Sequence, residues 1–110
     1  ALRQNIDIIK SMGIDIKKSR ICGGGTKNRL WLEIIANVLN IELEVPENQE
    51  GASYGAALLA VRGCSEEEYN RFLSEMKITA VIKPDINIVK KYEEKYRQFL
   101  KFYPAVKNIL

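Results

Sequence analysis

Residues 20–28 read Arg-Ile-Cys-Gly-Gly-Gly-Thr-Lys-Asn, and this stretch decides the fold, because a strand, a glycine turn and a helix follow one another directly. The strand is predicted at about residues 19–22, and a helical pattern begins at Lys27. Glycine has no Cβ, so an anionic oxygen can approach its backbone, and a helix start presents unpaired N–H groups and a positive dipole end. The stretch is therefore suited to a phosphate. Three glycines are more often a tight structural turn, so the pattern alone leaves both interpretations open.

The glycine turn does not match the familiar nucleotide motifs. A P-loop requires the pattern G-x4-G-K-[ST], which the chain lacks, and the dinucleotide fingerprint requires a glycine where Asn28 stands. In the first helical turn, Lys27 can add positive charge and Asn28 can add hydrogen bonds. Thr26 is predicted to be the N-cap of the helix.

The helix predicted from Lys27 to Asn40 carries two adjacent apolar lines, formed by Leu30, Ile34 and Val38 and by Trp31, Ile35 and Leu39. Such a broad stripe predicts a buried helix. Trp31 is expected to pack in the core, with stacking on adenine as the alternative. Cys22 is predicted to be a small buried hydrophobe. Cys22 and Cys64 lack the spacing of a zinc site, and we expect both to be reduced.

The next two predicted elements are a strand, indicated by alternating apolar and acidic residues, and a helix rich in small side chains. Residues 41–45 alternate between apolar and acidic, which predicts a strand with one covered face that Pro46 stops. Residues 47–50 form a polar loop. Residues 51–61 are rich in glycine, alanine and serine, which predicts a helix whose backbone packs closely against a neighbour. Glycine destabilises a helix interior, so Gly55 is expected to lie at such a contact.

The last third of the chain is predicted to be mostly helical. Ser65 and Glu68 form a capping box for one helix. Residues 77–84 are extended, and a final helix is predicted from about Ile86 to Phe102, with Pro104 as its stop. Three tyrosines, Tyr92, Tyr96 and Tyr103, are expected to pack in the core or between domains. The alternative is that their rings line a ligand-binding site.

The order of elements predicts an α/β fold with parallel strands and crossover helices. An opening helix from about Leu2 to Met12 ends at Gly13, which can adopt a left-handed conformation. Only two strands are clear, and two strands make a poor sheet with uncovered faces. We therefore predict that residues 1–110 form a single incomplete domain with few parallel strands and flanking helices. Its missing neighbours come from more of the same polypeptide or from a partner, and the exposed faces predict self-association.

Composition excludes several classes of function. The chain is 46% hydrophobic and 28% charged, ordinary for a globular protein, and no apolar run is long enough to span a membrane. Histidine is absent, which removes histidine-based nucleophile pairs and metal sites. The net charge of +3 is not concentrated enough to predict nucleic-acid binding. Glu47, Glu50 and Asp85 are expected to serve solubility rather than to bind a metal, and a cytoplasmic location is expected.

Three segments and a tail carry a resemblance to a known family. Residues 23–31, 41–46 and 50–60, with the Tyr-Pro tail at residues 92–105, resemble the C-terminal domain of the FGGY carbohydrate kinases. Within that family the chain is most similar to the xylulose kinases. The likeness covers nearly the whole chain. The glycine turn alone is a weak motif, but its combination with the small-residue helix and the tail is specific.

The resemblance implies a fold, a reaction and a ligand. The family has the actin-like ATPase fold, in which two ribonuclease-H-like domains enclose ATP and Mg²⁺, and the γ-phosphoryl group passes to a sugar hydroxyl. By this resemblance the backbone of Gly24 and Gly25 would meet the nucleotide phosphates, Asn28 would lie beside the adenosine, and Gly51 with Ala52 would line the same wall. The candidate set for ATP or ADP is Gly23, Gly24, Gly25, Thr26, Lys27, Asn28, Gly51 and Ala52.

The same resemblance limits what these residues can do alone. The family's catalytic aspartate, its sugar-binding residues and most of its Mg²⁺ site belong to the N-terminal domain, which would be this chain's main partner. Phosphoryl transfer depends on positioning and charge stabilisation from several sides, so the chain alone is expected to be inactive, with no catalytic or metal-binding residue of its own. The alternatives are a non-catalytic nucleotide-binding module and an interaction module whose glycine turn is structural.

Overall fold

A computed structural model describes residues 1–107 and 109 of the chain. In this range there are six α-helices, a 3₁₀ turn and three strands. In chain order they are α1 (Leu2–Ser11), β1 (Lys18–Arg20), the 3₁₀ turn (Gly24–Lys27), α2 (Arg29–Leu39), β2 (Glu42–Pro46), α3 (Gly51–Cys64), α4 (Glu66–Glu75), β3 (Ile78–Ile82), α5 (Ile86–Phe99) and α6 (Phe102–Val106).

The sheet has the order β1-β2-β3 and is mixed. The prediction of parallel strands is confirmed for β1 and β2, the two strands that are clear in the sequence, and does not hold for β3. β1 pairs parallel to β2, through the crossover that contains the glycine turn and α2, and β2 pairs antiparallel to β3. Two helices, α3 and α4, separate β2 from β3. An even number of helices can return the chain to the sheet in the opposite direction, whereas a single crossover helix gives parallel strands.

The core lies between α2 and β2. Leu43 and Val45 of β2 are buried, while Glu42 and Glu44, which alternate with them, are half-buried, and this confirms a strand with one covered face. β2 ends at Pro46, as predicted. The remaining members of the core come from α2, the residue before β2, and the end of β3: Leu32, Ile35, Ala36, Leu39, Ile41 and Ile82.

The buried face of α2 differs from the predicted stripe. Leu32 and Ala36 are buried instead of Leu30, which is 65% exposed, and Trp31, which is 49% exposed. The small sheet covers one line of the helix, and Ala36, with no exposed surface, allows the closest approach to it. The core prediction for Trp31 is therefore wrong.

β1 is shorter and more exposed than predicted. It covers Lys18–Arg20 instead of residues 19–22, although the Ile21 N–H still donates to the Glu44 carbonyl at 2.9 Å. Cys22 is exposed, so the prediction of a buried cysteine is wrong; β1 is an edge strand, which leaves its end uncovered. Cys22 and Cys64 are both free cysteines.

α3 and α4 pack mainly on each other, and the described residues of α3 include none that is buried. A Cβ built on Gly55 would meet no atom within 4 Å, so the expected close contact there is not present. Ser65 caps α4, since its Oγ accepts the Glu68 N–H at 3.2 Å. The return bond of a capping box is replaced, because the Ser65 N–H donates to the Val61 carbonyl at 2.8 Å.

The C-terminal helix is divided in two. α5 ends at Phe99 and α6 begins at Phe102, so Pro104 lies inside α6 and does not stop a helix, contrary to the prediction. Proline is tolerated in a first turn because the N–H that it lacks has no intrahelical partner there. Of the tyrosines predicted to pack, Tyr92 and Tyr96 are half-buried and Tyr103 is exposed.

The chain is extended for its size. Its Cα radius of gyration is 17.0 Å, whereas a compact domain of this length has about 13 Å. Its accessible surface is 8264 Å², whereas a monomer of this mass exposes about 6,200 Å². The excess surface agrees with the shortage of strands that the sequence predicts.

Candidate functional site

The glycine turn begins with a conformation that favours glycine. Gly23 has φ +102° and ψ 176°, a region that side chains with a Cβ rarely adopt. A short 3₁₀ turn over Gly24–Lys27 follows and leads into α2. The turn therefore lies between the exposed end of β1 and the start of α2.

Two hydrogen bonds close the turn at its first residue. The Thr26 N–H donates to the Gly23 carbonyl at 3.1 Å, and the Gly23 N–H donates to Oε1 of Gln49 at 3.2 Å. The Thr26 hydroxyl lies 2.7 Å from both the Gly23 carbonyl and Gln49 Oε1. A hydroxyl has one proton, so it donates to one of these acceptors at a time.

The next two amides are free. Within residues 1–107 and 109, the N–H groups of Gly24 and Gly25 donate to no protein acceptor, while the Asn28 N–H donates to the Gly25 carbonyl at 3.2 Å. A Cβ on Gly24 would meet nothing within 4 Å, and a Cβ on Gly25 would lie 3.2 Å from the Trp31 ring. Two consecutive backbone donors thus face solvent without a partner, the arrangement that an anionic oxygen can use.

Asn28, not Thr26, is the N-cap of α2, which corrects the predicted cap. Its Oδ1 accepts the Trp31 N–H at 3.2 Å. The 3₁₀ turn occupies the position of Thr26, so the α-helix begins two residues later than the pattern indicates. The side-chain amide nitrogen of Asn28 stays available to donate. Lys27 is exposed and makes no ion pair with the described residues.

The segment after β2, which was also predicted to line the nucleotide site, approaches the glycine turn at Gly51. A Cβ on Gly51 would lie 2.5 Å from Cys22 Sγ, so only glycine fits there without displacement. Ala52 is exposed in the first turn of α3 and makes no hydrogen bond to the described residues of the glycine turn.

Sequence reasoning missed Gln49, which it assigned to a polar loop. Its position in the short loop between the proline-terminated strand and Gly51 is a signal that could have pointed to it.

Two concavities lie beside the glycine turn. Gly51 and Cys22 line a cavity of about 240 Å³, together with Pro46, Tyr54 and Met76 among others. A larger apolar groove of about 450 Å³ lies between α1, α2 and α5, and Trp31 forms part of its wall. The glycine turn is therefore an open surface beside two concavities.

The three acidic residues that the sequence offers as candidate metal ligands have other partners. Glu50 accepts a hydrogen bond from the Ser53 hydroxyl at 3.0 Å, Glu47 pairs with Lys77 at 3.9 Å, and Asp85 caps α5 by accepting the Asn87 N–H at 2.8 Å. The part of the chain that the structure describes contains no group of three or more acidic or cysteine side chains placed to hold a metal ion. None of its helices is long and apolar enough to cross a membrane.

The chain is similar to known sugar kinases. It is 34% identical over 90 residues to the probable L-xylulose kinase of Haemophilus influenzae, a match that covers 82% of this chain and 18% of the relative. It superposes on the xylulose kinase of Rhodospirillum rubrum with a TM-score of 0.79 and 24% identity, covering 98% of this chain and 22% of that one. It superposes on Plasmodium falciparum glycerol kinase, solved with ADP, with a TM-score of 0.65 and 25% identity, covering 91% and 21%.

The chain matches only part of the length of each relative. It spans about a fifth of the length of the relatives that it matches. Its α/β arrangement is a portion of the actin-like ATPase fold of these kinases. The family model described as the C-terminal domain of the FGGY family of carbohydrate kinases matches residues 1–64, more than half of the chain, and the protein therefore belongs to that family.

Proposed function

We propose that this chain forms the ATP- and ADP-binding wall of a sugar kinase that transfers the γ-phosphoryl group of ATP to a sugar hydroxyl. The observation that carries the proposal is the pair of N–H groups at Gly24 and Gly25 that have no acceptor among the described residues, in a member of a carbohydrate kinase family. Xylulose is the favoured sugar, because relatives named as xylulose kinases match most of the chain. A cytoplasmic location stays a prediction.

The residues of the turn fit the polyphosphate part of a nucleotide. The Gly24 and Gly25 amides would donate to phosphate oxygens, and the open space at Gly24 would let those oxygens approach the backbone. The free side-chain nitrogen of Asn28 would donate to the adenosine. Gly51 and Ala52, at the start of α3, would line the same wall.

This chain contributes binding but no proton transfer. The described residues contain no group of three or more acidic or cysteine side chains placed to hold a metal ion, Glu50 accepts a hydrogen bond from the Ser53 hydroxyl, and Glu47 pairs with Lys77. The base that accepts the sugar proton, the sugar contacts and most of the Mg²⁺ ligands would come from an N-terminal domain. Phosphoryl transfer requires charge stabilisation from several sides at once, so the chain alone is expected not to phosphorylate xylulose.

An ADP titration followed by amide NMR tests the proposal. Millimolar ADP should shift the Gly24 and Gly25 resonances, and Gly24→Val should weaken the response at least tenfold by blocking close approach. Gly63→Val is the matched control, because a Cβ there also meets nothing within 4 Å but lies far along α3. Unchanged Gly24 and Gly25 resonances would contradict nucleotide binding at the turn. Xylulose phosphorylation by the chain alone at a whole-enzyme rate would contradict the proposal that the chain binds nucleotide and the N-terminal domain supplies the catalytic base.

A further inference from the structure

We infer that Gln49 is a positioning residue that holds the glycine turn in the conformation in which the Gly24 and Gly25 amides face outward. The inference deepens the proposed function and rests on it. It starts from the only side chain among the described residues that hydrogen-bonds to the turn from another loop.

Gln49 connects three backbone segments. Its Oε1 accepts the Gly23 N–H at 3.2 Å and lies 2.7 Å from the Thr26 hydroxyl, so it contacts both ends of the tight part of the turn. Its Nε2 donates to the Pro46 carbonyl, where β2 ends. Gln49 and Thr26 are both half-buried, so the bonds of Gln49 to Thr26 and to Pro46 are partly shielded from water, whereas its bond to the Gly23 N–H is exposed.

The chemistry of the three partners requires a primary amide. Gly23 N–H needs an acceptor and the Pro46 carbonyl needs a donor, and one side chain must supply both at its tip. Glutamine does so, whereas glutamate lacks the donor and lysine lacks the acceptor. The same requirement sets the amide orientation, because the reversed amide would place nitrogen against an N–H and oxygen against a carbonyl.

The position of this contact decides which amides stay free. Gln49 takes up the Gly23 N–H, and the Thr26 N–H is taken up by the Gly23 carbonyl. The two amides between them are left without acceptors. With Gln49 removed, Gly23 loses its partner, and a glycine with φ +102° can move to other conformations at little cost. The outward presentation of both free amides would then be one conformation among several.

A second contact joins the same two loops and makes the effect specific. Gly51 lies against Cys22 so closely that a Cβ would come within 2.5 Å of its sulfur. That contact sets the distance between the loops, and the Gln49 bonds set the orientation of the turn. Loss of Gln49 should therefore change the turn and leave the core between α2 and β2 unchanged.

The test compares Gln49→Met, which keeps length and removes both hydrogen-bonding groups, with Gln98→Met, a change at an exposed glutamine on α5 with no side-chain hydrogen bond recorded. Amide hydrogen exchange and ADP-induced shifts are measured by NMR. Gln49→Met should speed exchange at Gly23 about tenfold, leave the Ala36 amide in the core unchanged, and weaken the ADP response at Gly24 and Gly25 about tenfold. Gln98→Met should change none of these. Thr26→Val, which removes only the hydroxyl, should give a smaller change in the same direction, and Thr26→Ser should restore it.

Each result has a distinct meaning. If the wild-type chain responds to ADP and Gln49→Met responds equally strongly, Gln49 does not position the turn, and the proposal of nucleotide binding stands. A wild-type chain that shows no ADP response at Gly24 and Gly25 overturns the nucleotide wall and, with it, this inference. If Gln49→Met unfolds the chain, the Thr26 pair decides, because an unaltered ADP response in Thr26→Val contradicts a hydrogen-bonded role for the contact.

Discussion

Gly51 and Gly55 of α3 have different surroundings. Gly51 is the first residue of the helix and lies against Cys22, whereas Gly55 has open space where a Cβ would be. The steric requirement at Gly51 comes from a residue that is distant in sequence. The helix-destabilising effect of glycine at Gly55 has no such compensation in this chain.

The two positions should respond in opposite directions to alanine. Gly55→Ala should stabilise the chain by up to about 1 kcal/mol, because alanine loses less conformational entropy in a helix. Gly51→Ala should destabilise it by up to about 1 kcal/mol, because the new methyl group fits only if the exposed Cys22 side chain moves. Urea unfolding measures both. Cys22→Ala should rescue most of the Gly51→Ala loss, and a double variant as unstable as Gly51→Ala alone would contradict the steric cause.

At the scale of elements, one side chain attaches α1 to its neighbours. Arg3 pairs with Asp7 at 3.0 Å within α1, donates to the Val38 carbonyl of α2 at 2.6 Å, and pairs with Glu93 of α5 at 2.8 Å. Its guanidinium also lies 5.0 Å from the centre of the Tyr96 ring. The side chain is 14% exposed, so these interactions are better shielded than ordinary surface ion pairs.

Arg3→Met should therefore detach α1. The variant keeps much of the aliphatic volume but leaves the Val38 carbonyl and Glu93 without their donor, and we expect a loss of about 2–3 kcal/mol in the free energy of unfolding. Urea unfolding and faster amide exchange along α1 measure it. Arg29→Met, which breaks an exposed pair with Glu33, is the control and should change stability by about 0.5 kcal/mol or less. Equal losses in the two variants would show that the Arg3 contacts contribute no more than a surface pair.

The cluster of Arg3, Asp7 and Tyr96 should make the stability of the chain depend on pH. Burial opposes ionisation of Asp7 and is the largest single influence on it, but hydrogen bonds from the Tyr96 hydroxyl at 2.7 Å and from Arg3 together outweigh burial and lower the pKa of Asp7. For Tyr96, burial first and the bond to Asp7 second raise the pKa to about 12.

A lowered folded-state pKa stabilises the protein above the unfolded value of 3.8, and this contribution is lost as pH falls through the folded-state pKa. Asp7→Asn should consequently reduce stability at neutral pH and flatten the decline of the melting temperature below about pH 4. Melting curves from neutral pH to about pH 2 measure the effect. Parallel profiles for wild type and variant would mean that Asp7 does not contribute to the acid dependence.

At the scale of the whole molecule, the exposed surface is the dominant feature. β1 and β3 are the two edges of the described sheet, and α3 has no buried residue in the described part of the chain. Exposed apolar side chains extend from α1 to the C-terminal helices, among them Leu59 and Phe102, each 66% exposed. Unpaired edges and apolar patches of this kind promote association.

The chain alone should therefore self-associate. Light scattering after size exclusion should show an apparent mass above the 12.5 kDa of the monomer that rises with concentration. Salt at about 0.5 M should not reverse it, because apolar burial and strand pairing are not screened as charges are. A monomer that stays unchanged up to millimolar concentration would contradict the argument from uncovered faces.

Local features of this chain were predictable from the sequence. The strand over residues 41–45, the glycine turn between β1 and α2, and the Ser65 cap each depend on neighbours within a few positions. Periodicity of burial and the lack of a Cβ are properties of short segments. The family likeness of the same segments was confirmed by the family model over residues 1–64.

The tertiary structure alone decided everything that depends on contacts between distant residues. The antiparallel β3, the exposed Trp31, the necessity of glycine at residue 51 and the role of Gln49 all follow from which segments meet across the sheet and its loops. A sequence pattern records which face of an element is apolar, but the amount of sheet available to cover that face is a property of the assembled chain. For that reason the sequence determined the elements and the candidate turn, and the structure determined which side chains hold that turn in place.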